Sequence, residues 1–99
     1  MDSYLHQLTA VILTYKTNLD ILKNCLKSIN PKVKILIVEN SSHFKYLKEI
    51  QSNFSNIEVI CSGSNLGYGG GNNFGLNKVK TKYALILNPD TVCKENFFS

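Results

Sequence analysis

Short apolar runs alternate with helical stripes along the chain, and this alternation limits the fold more than any other feature of the sequence. The runs at residues 8–14, 33–38, 57–61 and 83–87 are rich in Val, Ile and Leu, which is typical of strands buried on both faces. Strands that alternate with helices at this spacing form βαβ units around a parallel sheet. Because such crossovers are right-handed, we predict an α/β fold with three layers. Its mostly parallel sheet has the order 3-2-1-4, one half of a doubly wound, Rossmann-like sheet.

Three helices are predicted between these strands. The first carries apolar residues at spacings of three and four, with Thr17 or Asn18 as its N-cap and Pro31 beyond its end. Ser42 is expected to cap the second helix. The third is expected over about residues 72–80, after a loop that is rich in glycine.

The length and composition indicate one globular domain. The chain has 99 residues, of which 43% are hydrophobic and 18% charged, enough for a single core and no more. Its formal charge is +4, and it contains no arginine, whereas proteins that read nucleic-acid sequence depend on bidentate arginine contacts. Nucleic acid is therefore not an expected partner, and the lysines are interpreted as a solvated surface.

Targeting and cysteine patterns point to an intracellular protein. No apolar run approaches the ~20 residues that a membrane span needs, and the first residues lack a basic region followed by a long apolar core. Cys25, Cys61 and Cys93 are widely spaced and form no CxxC pair, so we interpret all three as small packing residues in a reducing compartment. The expected location is the cytoplasm, including the inner face of the membrane.

Four segments are expected to meet at the carboxyl ends of the strands, where ligands bind in sheets of this kind. They are residues 14–16, 39–42, 63–73 and 88–90. The absence of a Gly-Lys pair argues against a P-loop, and the absence of glycine after the first strand argues against a dinucleotide fingerprint. No Ser-His-Asp or Cys-His arrangement stands out.

The acid after the fourth strand indicates a metal. Asp90 follows Pro89, which fixes φ and has no N–H to donate. Mg²⁺ or Mn²⁺ prefers one or two protein carboxylates together with phosphate oxygens and water. Asn-Pro-Asp is also good turn chemistry, and the glycine-rich segment could be only a tight connection. Found together at one edge of the sheet, the two motifs favour a diphosphate bridged by a divalent cation.

Four sequence motifs stand at the ends of the predicted strands: VILTYK, ILIVENSS, NLGYGGGNNFGL and YALILNPDT. Together they resemble the N-terminal half of family 2 glycosyltransferases, and the last two resemble its rhamnosyltransferase-like branch. The resemblance covers about residues 8–93. It implies a GT-A (nucleotide-diphospho-sugar transferase) fold. It also implies an inverting enzyme that transfers a sugar, rhamnose in that branch, from a nucleoside-diphosphate sugar to a glycan or lipid-linked acceptor.

The resemblance also implies roles for individual residues. In the family, the turn after the first strand lines the nucleoside pocket, which corresponds to Thr14 and Tyr15. The end of the second strand reads the base with an Asp followed by Asn, which corresponds here to Glu39, one methylene longer, and Asn40. The resemblance implies that further residues contact the nucleotide sugar: Asn65, Gly67, Asn72, Asn73 and Asn88. It implies that Asp90 is the carboxylate that binds Mg²⁺ or Mn²⁺.

The family's catalytic base lies well after the metal motif, whereas this chain ends at Ser99. By this analogy residues 1–99 are a single donor-binding part of a longer glycosyltransferase domain. Glu95 follows the metal motif too closely to be the base, and the chain alone is expected to be inactive. Two alternatives stay open: a non-catalytic nucleotide-sugar-binding or assembly module, and a receiver-like domain. The latter would require clustered acids after the first strand.

The fourth strand is expected to be an exposed edge. By the same analogy it would lie inside the sheet of a complete domain, and residues 83–87 contain no charge, proline or glycine. An unprotected apolar edge favours pairing with another chain. We therefore expect a homo-oligomer formed through the fourth strand, assisted by Phe97 and Phe98, because a half domain offers them no core position.

Overall fold

The strands and helices follow the predicted alternation. The computed structural model describes residues 3–94 and 97–98. A 3₁₀ turn over Ser3–Gln7 precedes the other elements, which are β1 (Leu8–Thr14), α1 (Leu19–Lys27), β2 (Lys34–Glu39), α2 (Leu47–Asn53), β3 (Ile57–Cys61), α3 (Gly67–Leu76) and β4 (Tyr83–Leu87). All neighbouring strands pair in parallel, in the order β3-β2-β1-β4. The predicted α/β fold and strand order are confirmed.

Apolar side chains on the two faces of the sheet form separate clusters. The larger cluster joins Ile12 and Ile37 to α1 and α2. The smaller cluster joins Val11 and Val38 to Phe74 of α3. Because successive side chains of a strand point to opposite faces, both sets are buried at once, and the fold has the predicted three layers.

The first helix begins and ends through local side-chain bonds. Asn18 is its N-cap, and its Oδ1 atom accepts a hydrogen bond of 3.1 Å from the Ile21 N–H. Ser28 occupies the C-cap, three residues before Pro31. Of the two predicted N-cap residues, Thr17 and Asn18, Asn18 caps the helix in the structure.

The second helix begins later than predicted. Tyr46 is at its N-cap position and makes no side-chain capping bond, so the expected cap at Ser42 is wrong. Instead the neighbouring Ser41 hydroxyl donates to Glu39 Oε2 at 2.6 Å, and the connection continues irregularly to Phe44, which is buried ahead of the helix. Serine side chains that bond to nearby groups compete with helix formation in this way.

The glycine-rich segment is a helix, which corrects the predicted loop. α3 covers Gly67–Leu76 and not residues 72–80. Glycine disfavours helices by about 1 kcal/mol per residue, so the sequence pattern indicated a loop. Packing decides otherwise: a Cβ atom added at Gly75 would lie 2.6 Å from Val38 Cγ2, and one at Gly71 would lie 2.5 Å from Leu13 Cδ1. The glycines allow the helix to lie close against the sheet.

The ends of the chain contribute to the core. Leu5, ahead of β1, is only 1% exposed, and Phe98 packs against the larger cluster. The Tyr4 hydroxyl donates to the Phe98 carbonyl. Phe98 therefore has the core position that the sequence did not predict, whereas Phe97 is exposed. Glu95 lies outside the described residues. Across residues 3–94 and 97–98, no helix is long and apolar enough to cross a membrane.

Candidate functional site

A buried carboxylate lies where β1 and β2 end. Glu39 is the last residue of β2 and is 6% exposed. Its Oε1 atom accepts a hydrogen bond of 2.7 Å from the Thr14 hydroxyl, and its Oε2 atom accepts one from Ser41. Hydrogen bonds to an ionised acceptor are stronger than neutral ones. The two hydroxyls therefore fix the orientation of the carboxylate, whose remaining lone pairs are free to accept from a ligand.

A cavity of about 580 Å³ opens beside this carboxylate. Its volume lies within the ~300–1,000 Å³ range of small-molecule sites. Aromatic rings in such a wall offer flat surface for stacking, and lysines offer positive charge. Both kinds of side chain line this cavity together with the carboxylate: Tyr15, Phe44, Tyr46, Lys16, Lys45 and Glu39.

The turn between β1 and α1 carries a backbone strain. Lys16 has a φ of 53°, in the left-handed region that costs a residue with a Cβ atom roughly 1–2 kcal/mol. The turn is fixed on both sides, because the Tyr15 N–H donates to Thr17 Oγ1 at 3.1 Å and the Thr14 carbonyl accepts from the Asn40 N–H at 2.8 Å. The Lys16 Nζ atom lies 5.4 Å from the centre of the Tyr15 ring.

Asn40 joins β2 to the segment that leads into α3. It is 2% exposed, and its Nδ2 atom donates to Asn65 Oδ1 at 3.2 Å and to the Gly67 carbonyl at 3.1 Å. Its Oδ1 atom accepts from the Ser62 hydroxyl at 2.9 Å and from the Leu66 N–H at 3.1 Å. The protein itself thus uses both donors and both acceptor positions of this amide. Asn40 holds the segment in place and has no hydrogen-bonding capacity left for a ligand in this arrangement.

The predicted contact residues of α3 differ in accessibility. Gly67 begins the helix with a φ of +76°, and the Asn65 side chain accepts from its N–H at 2.9 Å. Asn73 is exposed, whereas Asn72 is 5% exposed and its Oδ1 atom has no hydrogen-bond partner among the described residues. A buried polar atom without a partner is costly, so Asn72 marks a place where a ligand donor would be stabilised.

The end of β4 brings Asn88 and Asp90 to the same edge of the sheet. Asn88 Oδ1 accepts from the Tyr68 hydroxyl at 3.3 Å, and the Cys25 thiol lies 3.8 Å from the Asn88 carbonyl oxygen. Burial raises the pKa of Cys25 to about 11, with Cys93 and Asp90 adding to the effect, so the thiol stays protonated and is not a nucleophile. Cys93 is also buried, but Cys61 is exposed, which corrects the expectation that all three cysteines are packing residues.

The Asp90 carboxylate is exposed at this edge. The part of the chain that the structure describes contains no group of three or more His, Cys, Asp and Glu side chains that could hold a metal ion. A single carboxylate does not fit a metal held by protein alone. It does fit Mg²⁺ or Mn²⁺, which take most of their ligands from phosphate and water at such sites.

The structure divides the predicted site residues into groups. Tyr15 and Glu39 line the cavity, and the buried Thr14 is joined to Glu39 by a hydrogen bond. Asn40, Asn65 and Gly67 form one hydrogen-bonded unit, and Asn88 lies beside α3 through Tyr68. Single serine, lysine and aromatic residues carry no specific motif, so the sequence does not single out the side chains that complete these groups. They are Lys16, Ser41, Phe44, Ser62 and Tyr68.

A second cavity, of about 340 Å³, lies at the opposite end of the sheet. It is bordered by the amino ends of the strands, including Thr9, Lys34 and Ile57, and by the chain after α3. None of the predicted site residues lines it. This cavity is therefore not part of the predicted site.

Comparison with known proteins identifies relatives of the chain. The sequence profile of the family described as Glycosyl transferase family 2 matches residues 9–99. The chain is also 38% identical over 93 residues to the low-salt glycan biosynthesis hexosyltransferase Agl10 of Haloferax volcanii. This match covers 90% of the chain and 29% of that protein, so the chain spans less than a third of the relative's length.

Proposed function

The chain belongs to glycosyl transferase family 2, and from this premise we propose that it is the donor-binding region of an inverting glycosyltransferase. The observation that supports this most is the cavity with its oriented carboxylate, Glu39, at the same sheet edge as Asp90. The base of a nucleoside diphosphate suits the cavity at Glu39, and its phosphates suit a divalent cation held at Asp90. The family is expected to use a GT-A fold, and the three-layer parallel sheet is consistent with its Rossmann-like half.

We propose that the cavity binds the nucleoside. Glu39 accepts a hydrogen bond from an N–H group of the base, while Thr14 and Ser41 keep its carboxylate in position. Tyr15 is 43% exposed and offers its ring for stacking. Asn40 acts indirectly in this account: it holds the Asn65–Gly67 segment in the place where that segment meets the nucleotide.

We propose that Asp90 supplies the protein carboxylate for Mg²⁺ or Mn²⁺. A bound cation of this kind stabilises the negative charge of a leaving nucleoside diphosphate. Around it the chain offers neutral amides, which hydrogen-bond sugar hydroxyls without repelling phosphate. Asn72 provides a buried acceptor that has no partner among the described residues. Asn73, the next residue of α3, and Asn88, the residue after β4, are exposed.

We propose a hexose as the transferred sugar, with rhamnose, a deoxyhexose, as the specific candidate from the L-N-P-D motif. The proposed acceptor is a glycan or a lipid-linked glycan in the cytoplasm or at the inner face of the membrane. The similar protein from Haloferax volcanii, whose name gives hexosyl transfer in glycan biosynthesis, supports a role in making polysaccharides.

A general base for the acceptor is not assigned to any described residue. Apart from Glu39 and Asp90, the described carboxylates are Asp20 in α1, Glu49 in α2, which pairs with Lys23, and Glu58 in β3. None of these three follows a strand at the carboxyl edge. This favours the proposal that residues 1–99 alone bind the donor without transferring it, and it keeps a non-catalytic nucleotide-sugar-binding module as the second candidate.

Nucleoside binding can be mapped residue by residue. In a titration with uridine, thymidine or guanosine followed by backbone amide chemical shifts, we expect changes at Tyr15, Ser41 and Phe44. The matched control is the second cavity, where the amides of Lys34 and Glu58 should not move. Shifts confined to the second cavity, or no shifts with any of these nucleosides or their diphosphates at millimolar concentration, would contradict the proposed function.

A further inference from the structure

Lys16 stands at the centre of the carboxyl edge of the sheet. It follows β1, and β1 lies between β2 and β4. Glu39 ends β2 on one side, and Asp90 follows β4 on the other. A ligand that reaches from Glu39 to Asp90 must therefore pass over the end of β1, where Lys16 is the charged residue. Lys16 also lines the cavity beside Glu39.

The backbone conformation of Lys16 indicates that the formation of this turn does not explain a lysine at this position. Among the residues that the structure describes, it is the one non-glycine residue with a positive φ. Glycine or asparagine would adopt this conformation with less strain. Residues kept in strained conformations cluster at ligand sites, where the surrounding structure holds them. Here the hydrogen bonds at Tyr15 and Thr14 hold the turn from both sides.

The charges of the proposed site require a further cation. A diphosphate together with the carboxylates of Glu39 and Asp90 carries more negative charge than one divalent metal ion neutralises. The sequence has no arginine, so lysine is the side chain that can supply a permanent positive charge. The lysines that line the cavity are Lys16 and Lys45. Lys45 lies in the connection from β2 to α2, and β1 separates β2 from β4 in the sheet. Lys16, which follows β1, is therefore better placed to contact a diphosphate between Glu39 and Asp90.

We propose that Lys16 binds the diphosphate of the nucleotide, between the base pocket at Glu39 and the cation at Asp90. This inference rests on the proposed function. The Lys16 ammonium group now lies 5.4 Å from the centre of the Tyr15 ring, on an exposed side chain. Its flexible four-carbon stem allows the ammonium group to turn from the ring to a phosphate oxygen. The same movement leaves a face of Tyr15 open for the base.

The test compares nucleosides with their diphosphates in wild type and Lys16→Asn. Asparagine tolerates the left-handed backbone, so the variant should fold while losing only the charge. Titrations of uridine and UDP, thymidine and dTDP, and guanosine and GDP are carried out in EDTA, so that no metal contributes. For the pair that binds, we expect Lys16→Asn to weaken the diphosphate about tenfold and to change nucleoside affinity by less than about twofold.

Two further variants sharpen the result. Lys16→Arg should keep diphosphate affinity, and Lys27→Gln, an exposed lysine in the last turn of α1, should leave both affinities unchanged. If wild type binds the diphosphate and Lys16→Asn binds it equally well, or if the loss follows Lys45→Gln instead, the inference about Lys16 is overturned and the proposed function stands. If wild type binds none of these nucleosides or diphosphates, both are overturned.

Discussion

Asn40 and Glu39 are adjacent in sequence, are both buried at the end of β2 and have different roles. Asn40 saturates its amide with protein partners, whereas Glu39 keeps lone pairs that face a cavity. The resemblance to a known family placed both residues at the nucleotide from their motif alone. The motif could not show that their roles differ. That difference depends on Ser62 and Leu66, which donate to Asn40 from a segment more than twenty residues away.

Removing the Asn40 side chain should destabilise the fold. In Asn40→Ala the Leu66 N–H and the Gly67 carbonyl lose their partner, and we expect the free energy of unfolding in urea to fall by about 1–3 kcal/mol. Asn24→Ala, at an exposed position of α1, is the control and should change it by less than about 0.5 kcal/mol. Equal stability of Asn40→Ala and wild type would refute the structural role given to this amide.

At the scale of elements, strands were easier to predict than helices. β1, β3 and β4 have the predicted bounds, and β2 is shifted by one residue, because each strand is built around a short, largely apolar run. α3 was missed because its glycines contradict helix propensity, and the contacts of Gly71 and Gly75 that decide its structure come from β1 and β2. α2 was placed too early because the bonds of Ser41 could not be known from its neighbours in sequence.

Two glycine-to-alanine changes in α3 should have opposite effects. A Cβ atom at Gly75 would meet Val38, a buried and stiff β-branched residue, as well as Val11 at 3.1 Å. We expect Gly75→Ala to lower the free energy of unfolding by about 1–3 kcal/mol. A Cβ atom at Gly69 would meet nothing within 4 Å, so Gly69→Ala should raise stability by up to about 1 kcal/mol.

Both variants are measured by urea denaturation of the same preparation. Each variant adds one methyl group to the same helix, so both gain helix propensity by a similar amount. Opposite signs of the change in unfolding free energy would therefore show the separate effect of packing at Gly75. Stabilisation by Gly75→Ala would mean that the close approach of α3 to the sheet is wrong. Destabilisation by Gly69→Ala would mean that this residue is not in an exposed helix.

At the scale of the whole molecule, the two edge strands of the sheet, β3 and β4, differ in composition. β3 contains the charged residue Glu58, whereas β4 consists of apolar residues and tyrosine. No described strand pairs with the outer side of β4, and Tyr83 and Ile86 are 54% and 40% exposed. Unpaired N–H and carbonyl groups beside apolar side chains form a surface on which another strand can pair.

We predict that the chain self-associates through β4. Light scattering at increasing concentration should show a dimer or a larger species for wild type. Ile86→Lys places a charge on the exposed face of this edge and should shift the protein toward monomer. Ile21→Lys, at a similarly exposed apolar position on α1, should not. A wild-type monomer at high micromolar concentration would rule out assembly through this edge.

The central claim, that this sheet edge binds a nucleoside diphosphate through a cation held by Asp90, is tested most directly by calorimetric titration with and without Mn²⁺. The titration uses the nucleoside diphosphate that binds wild type. We expect Mn²⁺ to strengthen binding to wild type by at least about tenfold, to have no such effect on Asp90→Ala, and to act normally on Asp20→Asn, an exposed carboxylate of α1. Equal metal-dependent binding by wild type and Asp90→Ala would contradict the account.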